Sequence, residues 1–361
     1  MEYKISNRLK IGAIILIVIG SLGVGYGFID SQSYNEDNIT EFLANEVDHG
    51  DAHAVEAHGD EQAEEAHGES AAQVEESHGE EGNVEDGHKM THEEHELHKI
   101  HNRPWSALYV AAFFFFMIAL GVLAFYAVQH ASQAGWSPVL FRVMEGITTY
   151  VFPGGLIVLA IAFLADKHLF VWLDPDVLAH DALIQGKESW LNKPWFFIRG
   201  IIFLGGWSLY RYFSRKFSVA QDNADVNDNR NFKKNFRLSA AFLVFFIYTE
   251  SIMSWDWIMS VDPHWFSTLF GWYVLSGMLV CGITVIAMIA IYLKSKGLLE
   301  YVNDSHIHDL AKFMFGFSIF WAYLWFSQFM LIWYSNIPEE VTYFVTRIED
   351  YNLPFFGMVA M

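Results

Sequence analysis

Five titratable side chains, Glu145, Asp166, His168, Glu250 and Asp256, stand in or beside long apolar runs. An ionisable group in such surroundings is costly, so in a membrane chain it faces the bundle interior or a polar cavity and is a candidate proton carrier. Glu250 is the deepest, inside Phe246-Ile247-Tyr248-Thr249-Glu250-Ser251, with Ser254 one helical turn on and Met253 and Trp257 beside it. That stripe suits proton transfer or contact with a quinol, and the alternative is a structural carboxyl bonded to a neighbouring helix. Asp256 follows six residues later, about 240° around a helix of about 3.6 residues per turn, so the two acids do not share a face. Asp256 lies between Trp255 and Trp257 and opens an aromatic turn that continues as Asp262-Pro263-His264-Trp265. Oxidising a quinol requires proton acceptors near its hydroxyls. Trp255, Asp262 and His264 therefore read as quinol contacts, and the alternative is an interfacial aromatic belt.

Glu145 has Thr148 and Thr149 three and four residues on, before Pro153-Gly154-Gly155. Proline removes a helical hydrogen bond, and freed carbonyls at such breaks often line cavities. Glu145 thus reads as part of an inner proton half-channel, or else as the partner of Arg142 one turn earlier. Asp166 and His168, two residues apart, could relay protons at the other end of the same segment, because histidine titrates near neutral pH; a solvated helix end is the alternative. Arg199 reads as an anchor or a partner for an acid, and Ser327 and Gln328 as interhelical hydrogen-bonders.

The elements that must hold these groups are membrane helices. Of 361 residues, 53% are hydrophobic and only 18% charged, and apolar stretches of spanning length recur between polar turns. Seven spans are expected, near 11–28, 105–128, 140–164, 195–213, 236–259, 268–293 and 309–334. The fold class is all-α, a polytopic transmembrane helix bundle. The single cysteine, Cys281, excludes an intrachain disulfide, a Cys-x-x-Cys-His haem attachment and a four-cysteine iron–sulfur site in this chain. Ten of the 16 histidines fall at 49–101 and the other six at span ends or in connections, so no tightly bound redox metal is expected.

The net charge of −20 is local: 30–100 holds 22 acids against Lys89 and Lys99, and the remaining 20 acids and 20 bases cancel. Placing the N-terminus in the cytoplasm puts fourteen Lys and Arg inside, seven of them in 211–237, against seven outside. The expected organisation is an N-terminal anchor at 1–28, retained rather than cleaved because its apolar run exceeds a signal peptide's core. An acidic His-rich periplasmic loop at 29–104 is expected to be disordered, and a polytopic domain follows at 105–361. In that loop a short unit repeats as Asp48-His49-Gly50, Ala57-His58-Gly59, Ala66-His67-Gly68 and Ser77-His78-Gly79, read as a solvated spacer or a weak metal and proton buffer. Phe355 to Met361 reads as the opening of a further span, so the polytopic domain counts six complete spans and the start of another, in a chain expected to be truncated.

Two stretches, Tyr248 to Trp265 and Phe320 to Glu340, resemble one membrane subunit of the bacterial respiratory assembly called alternative complex III, and the resemblance extends over roughly 105–361. It implies a fold like the polysulfide reductase membrane subunit, with two four-helix bundles in the full-length protein. It implies oxidation of menaquinol, with electrons passed to cytochrome c or a terminal oxidase through iron–sulfur clusters and c-type haems carried by partner subunits. Those partners are an iron–sulfur protein, a multihaem cytochrome c and a second related membrane subunit. The member resembled is not the one usually assigned the quinol site beside the iron–sulfur protein, which favours a proton-conducting or structural role. Two other function classes stay open. One is a purely structural membrane anchor. The other is a metal-ion transporter with a His-rich loop, against which stands the lack of any His/Asp pair at i,i+4 within a span.

Overall fold

The computed structural model describes residues 6–35, 92–225, 227–349 and 351–360; most of the acidic His-rich segment lies outside the described residues. Among the described residues 85% are helical and none is in a strand, which makes the protein an all-α polytopic bundle. Thirteen α-helices are described. In chain order they are α1 (Asn7–Gln32), α2 (His92–Ala131), α3 (Phe141–Ile147), α4 (Val151–Leu164), α5 (Asp166–Leu169), α6 (Pro175–His180), α7 (Ala182–Lys187), α8 (Lys193–Asp222), α9 (Arg230–Trp257), α10 (Phe270–Ser295), α11 (Asp304–Ser335), α12 (Pro338–Glu349) and α13 (Asn352–Ala360).

Among the described residues six helical segments are long and apolar enough to cross a membrane: Asn7–Gln32, Lys99–Ala131, Ser137–Leu164, Arg230–Val261, Phe270–Ser295 and Asp304–Ser335. The remaining expected span, 195–213, falls within α8. Arg199, Arg211 and several Trp, Tyr and Gly residues dilute its apolarity. Its 30 residues nevertheless reach about 45 Å at about 1.5 Å per residue, more than a hydrocarbon core needs. The interruption expected at Pro153 falls slightly earlier, in the 3-10 turn Thr148–Tyr150 between α3 and α4. Pro153 is the third residue of α4, where a missing N–H removes no helical bond.

Side-chain caps fix several helix starts. Asn192 accepts a hydrogen bond from the Trp195 N–H at the head of α8, and Asp181 accepts from Leu183 and Ile184 at the head of α7. Asn303 and His306 form a reciprocal capping box on α11.

The chain divides into two compact units, residues 14–104 and residues 1–13 with 105–361. Within the first, His101 Nε2 lies 3.3 Å from the Tyr34 carbonyl oxygen. Within the second, α8 packs along α9, α9 along α10 and α10 along α11. The part of α2 in this unit crosses α10 at backbone distance. A Cβ added at Gly121 would sit 2.1 Å from the Met278 carbonyl oxygen, and one at Gly282 would sit 2.9 Å from the Val122 nitrogen. Small residues permit such an approach between membrane helices, where van der Waals packing replaces the hydrophobic effect as the driving force.

Candidate functional site

Side chains in the second unit sort into three layers along α2, α8 and α9. The layer at the end where the basic 211–237 segment joins α8 to α9 is polar. Glu145 on α3 is 2% exposed and accepts from the Tyr126 hydroxyl at 3.1 Å. It also pairs with Arg142, which in turn pairs with Asp222 at the end of α8. Ser214 Oγ lies 3.4 Å from the Tyr126 hydroxyl and donates to Asn235 Oδ1 at 2.6 Å. Asn235 Nδ2 is 3.3 Å from His130 Nε2. Close by, the Tyr210 hydroxyl and Ser239 Oγ are 2.8 Å apart, and Arg211 donates to Thr149 Oγ1 at 2.8 Å. A continuous chain of buried polar groups thus runs Glu145, Tyr126, Ser214, Asn235, His130. Among the described residues its last atom, His130 Nδ1, has no partner.

The middle layer is aromatic. The Tyr210 and Phe242 rings stack at 3.8 Å. Beyond them Phe246, Trp207, Phe116, Trp257 and Phe113 contact one another at centroid distances between 5.9 and 6.4 Å. Trp207 Nε1 donates to Thr249 Oγ1 at 3.0 Å. Glu250 is the next residue, 0% exposed, and neither of its carboxyl oxygens has a hydrogen-bond partner among the described residues. A group of this kind at such depth is seldom left without a role.

At the far end of α9, about 25 Å from Ser239 by helical rise, polar groups return. Asp256 is also 0% exposed, but both its oxygens are engaged: Oδ1 accepts from Trp190 Nε1 at 2.9 Å and Oδ2 from Arg199 Nε at 2.5 Å. The Arg199 guanidinium lies over the Trp190 ring at 4.4 Å and donates twice to the Trp190 carbonyl. The pair therefore fixes the segment before α8 against α9. Glu250 and Asp256, on different faces of one helix, are in opposite states, one unpartnered and one ion-paired.

The other residues singled out from the sequence lie around this end. Asp166 pairs with Lys193 and accepts from the Lys167 N–H at 2.9 Å. Against partial burial, these bonds and the two lysine charges hold its carboxyl below the ordinary carboxylate value. The His168 ring stacks on Trp105 with centroids 5.8 Å apart. His264 Nε2 lies 2.5 Å from Asp181 Oδ2. Burial opposes ionisation of Asp181, but the Ile184 N–H and His264 outweigh it and keep that carboxyl low. Trp255 and Asp256 line a cleft of about 340 Å³ together with Lys187, Trp190, Trp265 and Phe266, and Asp262 and His264 stand outside its lining.

Sequence reasoning missed Tyr126, His130, Ser214 and Asn235, having placed His130 at a span end. The signal was there: Tyr126/His130, Tyr210/Ser214 and Asn235/Ser239 are three polar i,i+4 pairs, each presenting two groups on one helix face at the same end of the bundle. Among the described residues no group of three or more His, Cys, Asp and Glu side chains is placed to hold a metal ion.

No known family's sequence model matches the chain, and no curated protein matches it.

Proposed function

We propose that this chain is an integral subunit, in the bacterial cytoplasmic membrane, of a menaquinol-oxidising respiratory complex that passes electrons to cytochrome c or a terminal oxidase, and that its own contribution is proton transfer. In this reading the N-terminus is cytoplasmic, and the haem c groups and iron–sulfur clusters belong to partner subunits. The observation that carries the proton role is Glu250, buried in a span with both oxygens unpartnered. A fixed charge there would lack compensation, whereas a carboxyl that gains and loses a proton meets the requirement of a carrier. The polar chain from Glu145 to His130 supports the same reading, since carboxylate, hydroxyl and imidazole groups exchange protons, with the Asn235 amide holding Ser214 and His130 in place. Asp256, tied to Arg199 and Trp190, acts in this reading as a positioning residue.

The test is proton release coupled to quinol oxidation in the assembled complex. Glu250→Gln keeps the side chain's shape and removes its proton exchange; proton release is expected to fall roughly a hundredfold, the scale of a lost acid–base group, and Glu250→Asp to restore part of it. Asp166→Asn should leave the rate unchanged. Wild-type proton release from a fully assembled Glu250→Gln complex would refute the proton role. Purification of the chain without haem-bearing or iron–sulfur partners would refute the respiratory assignment.

A further inference from the structure

We propose that the cleft between the end of α11 and the amphipathic helix α12 binds the polar end of an anionic glycerophospholipid, with Arg347 holding the phosphate and Gln328 an ester carbonyl. The inference needs neither the respiratory nor the proton reading, only that the chain spans a bilayer. The cleft has a volume of about 260 Å³, its walls include Trp325, Tyr343 and Phe344, and no carboxylate is among the described residues that line it. That is just below the range of sites that enclose a whole drug-sized ligand, so it suits the head of an amphiphile whose chains stay outside. Its position fits. Exposed Trp333 and Tyr334 mark the membrane–water boundary on α11, and Gln328 lies about 9 Å further in by helical rise. Asn336, in a left-handed conformation at φ 47°, turns the chain after α11, and Phe344 packs edge-on against Phe329 at 5.2 Å, which lays α12 on α11.

Arg347 is held ready for an anion. Its guanidinium lies 3.4 Å over the centre of the Tyr343 ring, and that ring stacks on Trp265 at 3.9 Å. One guanidinium nitrogen donates to the Tyr343 carbonyl at 2.6 Å, and among the described residues Arg347 has no carboxylate partner. Stacking uses the face of the guanidinium plane and leaves its edge, so the remaining N–H fork matches the oxygens of a phosphate. Burial raises the Tyr343 phenol above its ordinary value, against Arg347 and together with Asp262. The hydroxyl therefore keeps its proton and puts no negative charge beside the guanidinium. An unpaired cation at the membrane boundary attracts anionic lipid.

Gln328 is the second, independent observation. It is 8% exposed within a span, it borders the cleft, and its side-chain amide has no hydrogen-bond partner among the described residues. The interhelical bond expected of it from the sequence is not formed. A buried amide without a partner is costly, and a carbonyl oxygen entering the cleft removes that cost. The cleft thus asks for an anion at the boundary and a carbonyl acceptor further in, joined across apolar walls. A phosphodiester followed by glycerol esters presents those groups in that order. Free phosphate satisfies Arg347 and leaves Gln328 and the aromatic walls unused.

The experiment is native mass spectrometry of the full chain in detergent, titrated with phosphatidylglycerol or phosphatidylcholine, together with photolabelling by phosphatidylglycerol that carries a diazirine near its ester groups. Phosphatidylglycerol is expected to bind at least fivefold more tightly than phosphatidylcholine, and the label to fall on peptides from 325–331 or 343–358. Arg347→Met should weaken phosphatidylglycerol binding roughly tenfold, the effect of one lost charge-assisted hydrogen bond, and erase the preference between the lipids. Gln328→Leu should weaken both lipids roughly fivefold and keep the preference, a split that general loosening of the fold does not produce. Arg347→Lys, which keeps the charge and loses the fork, should fall between wild type and Arg347→Met and serves if Arg347→Met does not fold. Lys233→Met, which removes an exposed cation at the other end of the bundle, should change nothing. Equal affinity for the two lipids, full competition by excess inorganic phosphate, label on other peptides, wild-type binding in the variants, or a co-purifying protein that shields 343–358 from the label overturns the proposal.

Discussion

Arg199 and Asp256 show how much one side chain's state depends on a partner 57 residues away. Removing one member of a buried ion pair leaves the other charge uncompensated, and that usually costs about 3–5 kcal/mol. Arg199→Met is therefore expected to lower the thermal midpoint of the detergent-solubilised chain sharply. The double variant Arg199→Met with Asp256→Leu should recover much of the loss, because replacing both charges by apolar groups is often near neutral. Differential scanning calorimetry of the two variants checks both outcomes. Asp181 supplies a pH-dependent counterpart. Its folded value is depressed by the Ile184 N–H and His264, so its contribution is present above the ordinary carboxylate value of about 4 and is lost as pH falls below it. Hydrogen exchange over 175–187 should accelerate on acidification below about pH 4, and Asp181→Asn should remove that dependence.

At the scale of elements, the crossing of α2 and α10 is set by backbone contact at Gly121 and Gly282. Gly121→Ala places a methyl group against the Met278 carbonyl, so the helices must separate, with an expected loss of about 1–3 kcal/mol. Gly316 on α11 meets nothing within 4 Å. Gly316→Ala should be neutral or stabilising by about 0.4–1 kcal/mol, and thermal unfolding of the pair in one detergent checks the contrast. Spans are legible in sequence because burial in lipid demands length and apolarity, and those are local properties. The Arg142–Glu145 bond was legible for the same reason, lying one turn apart. The partners of Asp256 and His130 were not, because pairing of α8 with α9 and of α2 with α9 is decided by packing across 57 and 105 residues. In α8 the lowered apolarity has a structural reason: Arg199, Trp207, Tyr210, Arg211 and Ser214 bond to α9 or to the third span.

For the molecule as a whole, the charge bias predicts a topology that labelling can read. With Cys281→Ser as background, Arg215→Cys should react with an impermeant maleimide only from the cytoplasmic side, and Glu188→Cys only from the outside. The reverse pattern would invert every inner and outer assignment made above. The layered core carries one more consequence. A membrane under potential drops its voltage mainly across its low-dielectric part, and here the aromatic layer of Phe116, Trp207, Phe242 and Phe246 lies between two polar clusters. An elementary charge crossing a full 100 mV gains about 2.3 kcal/mol. On the proton role proposed above, Glu250 would hold its proton within that drop, so its occupancy is expected to shift with membrane voltage.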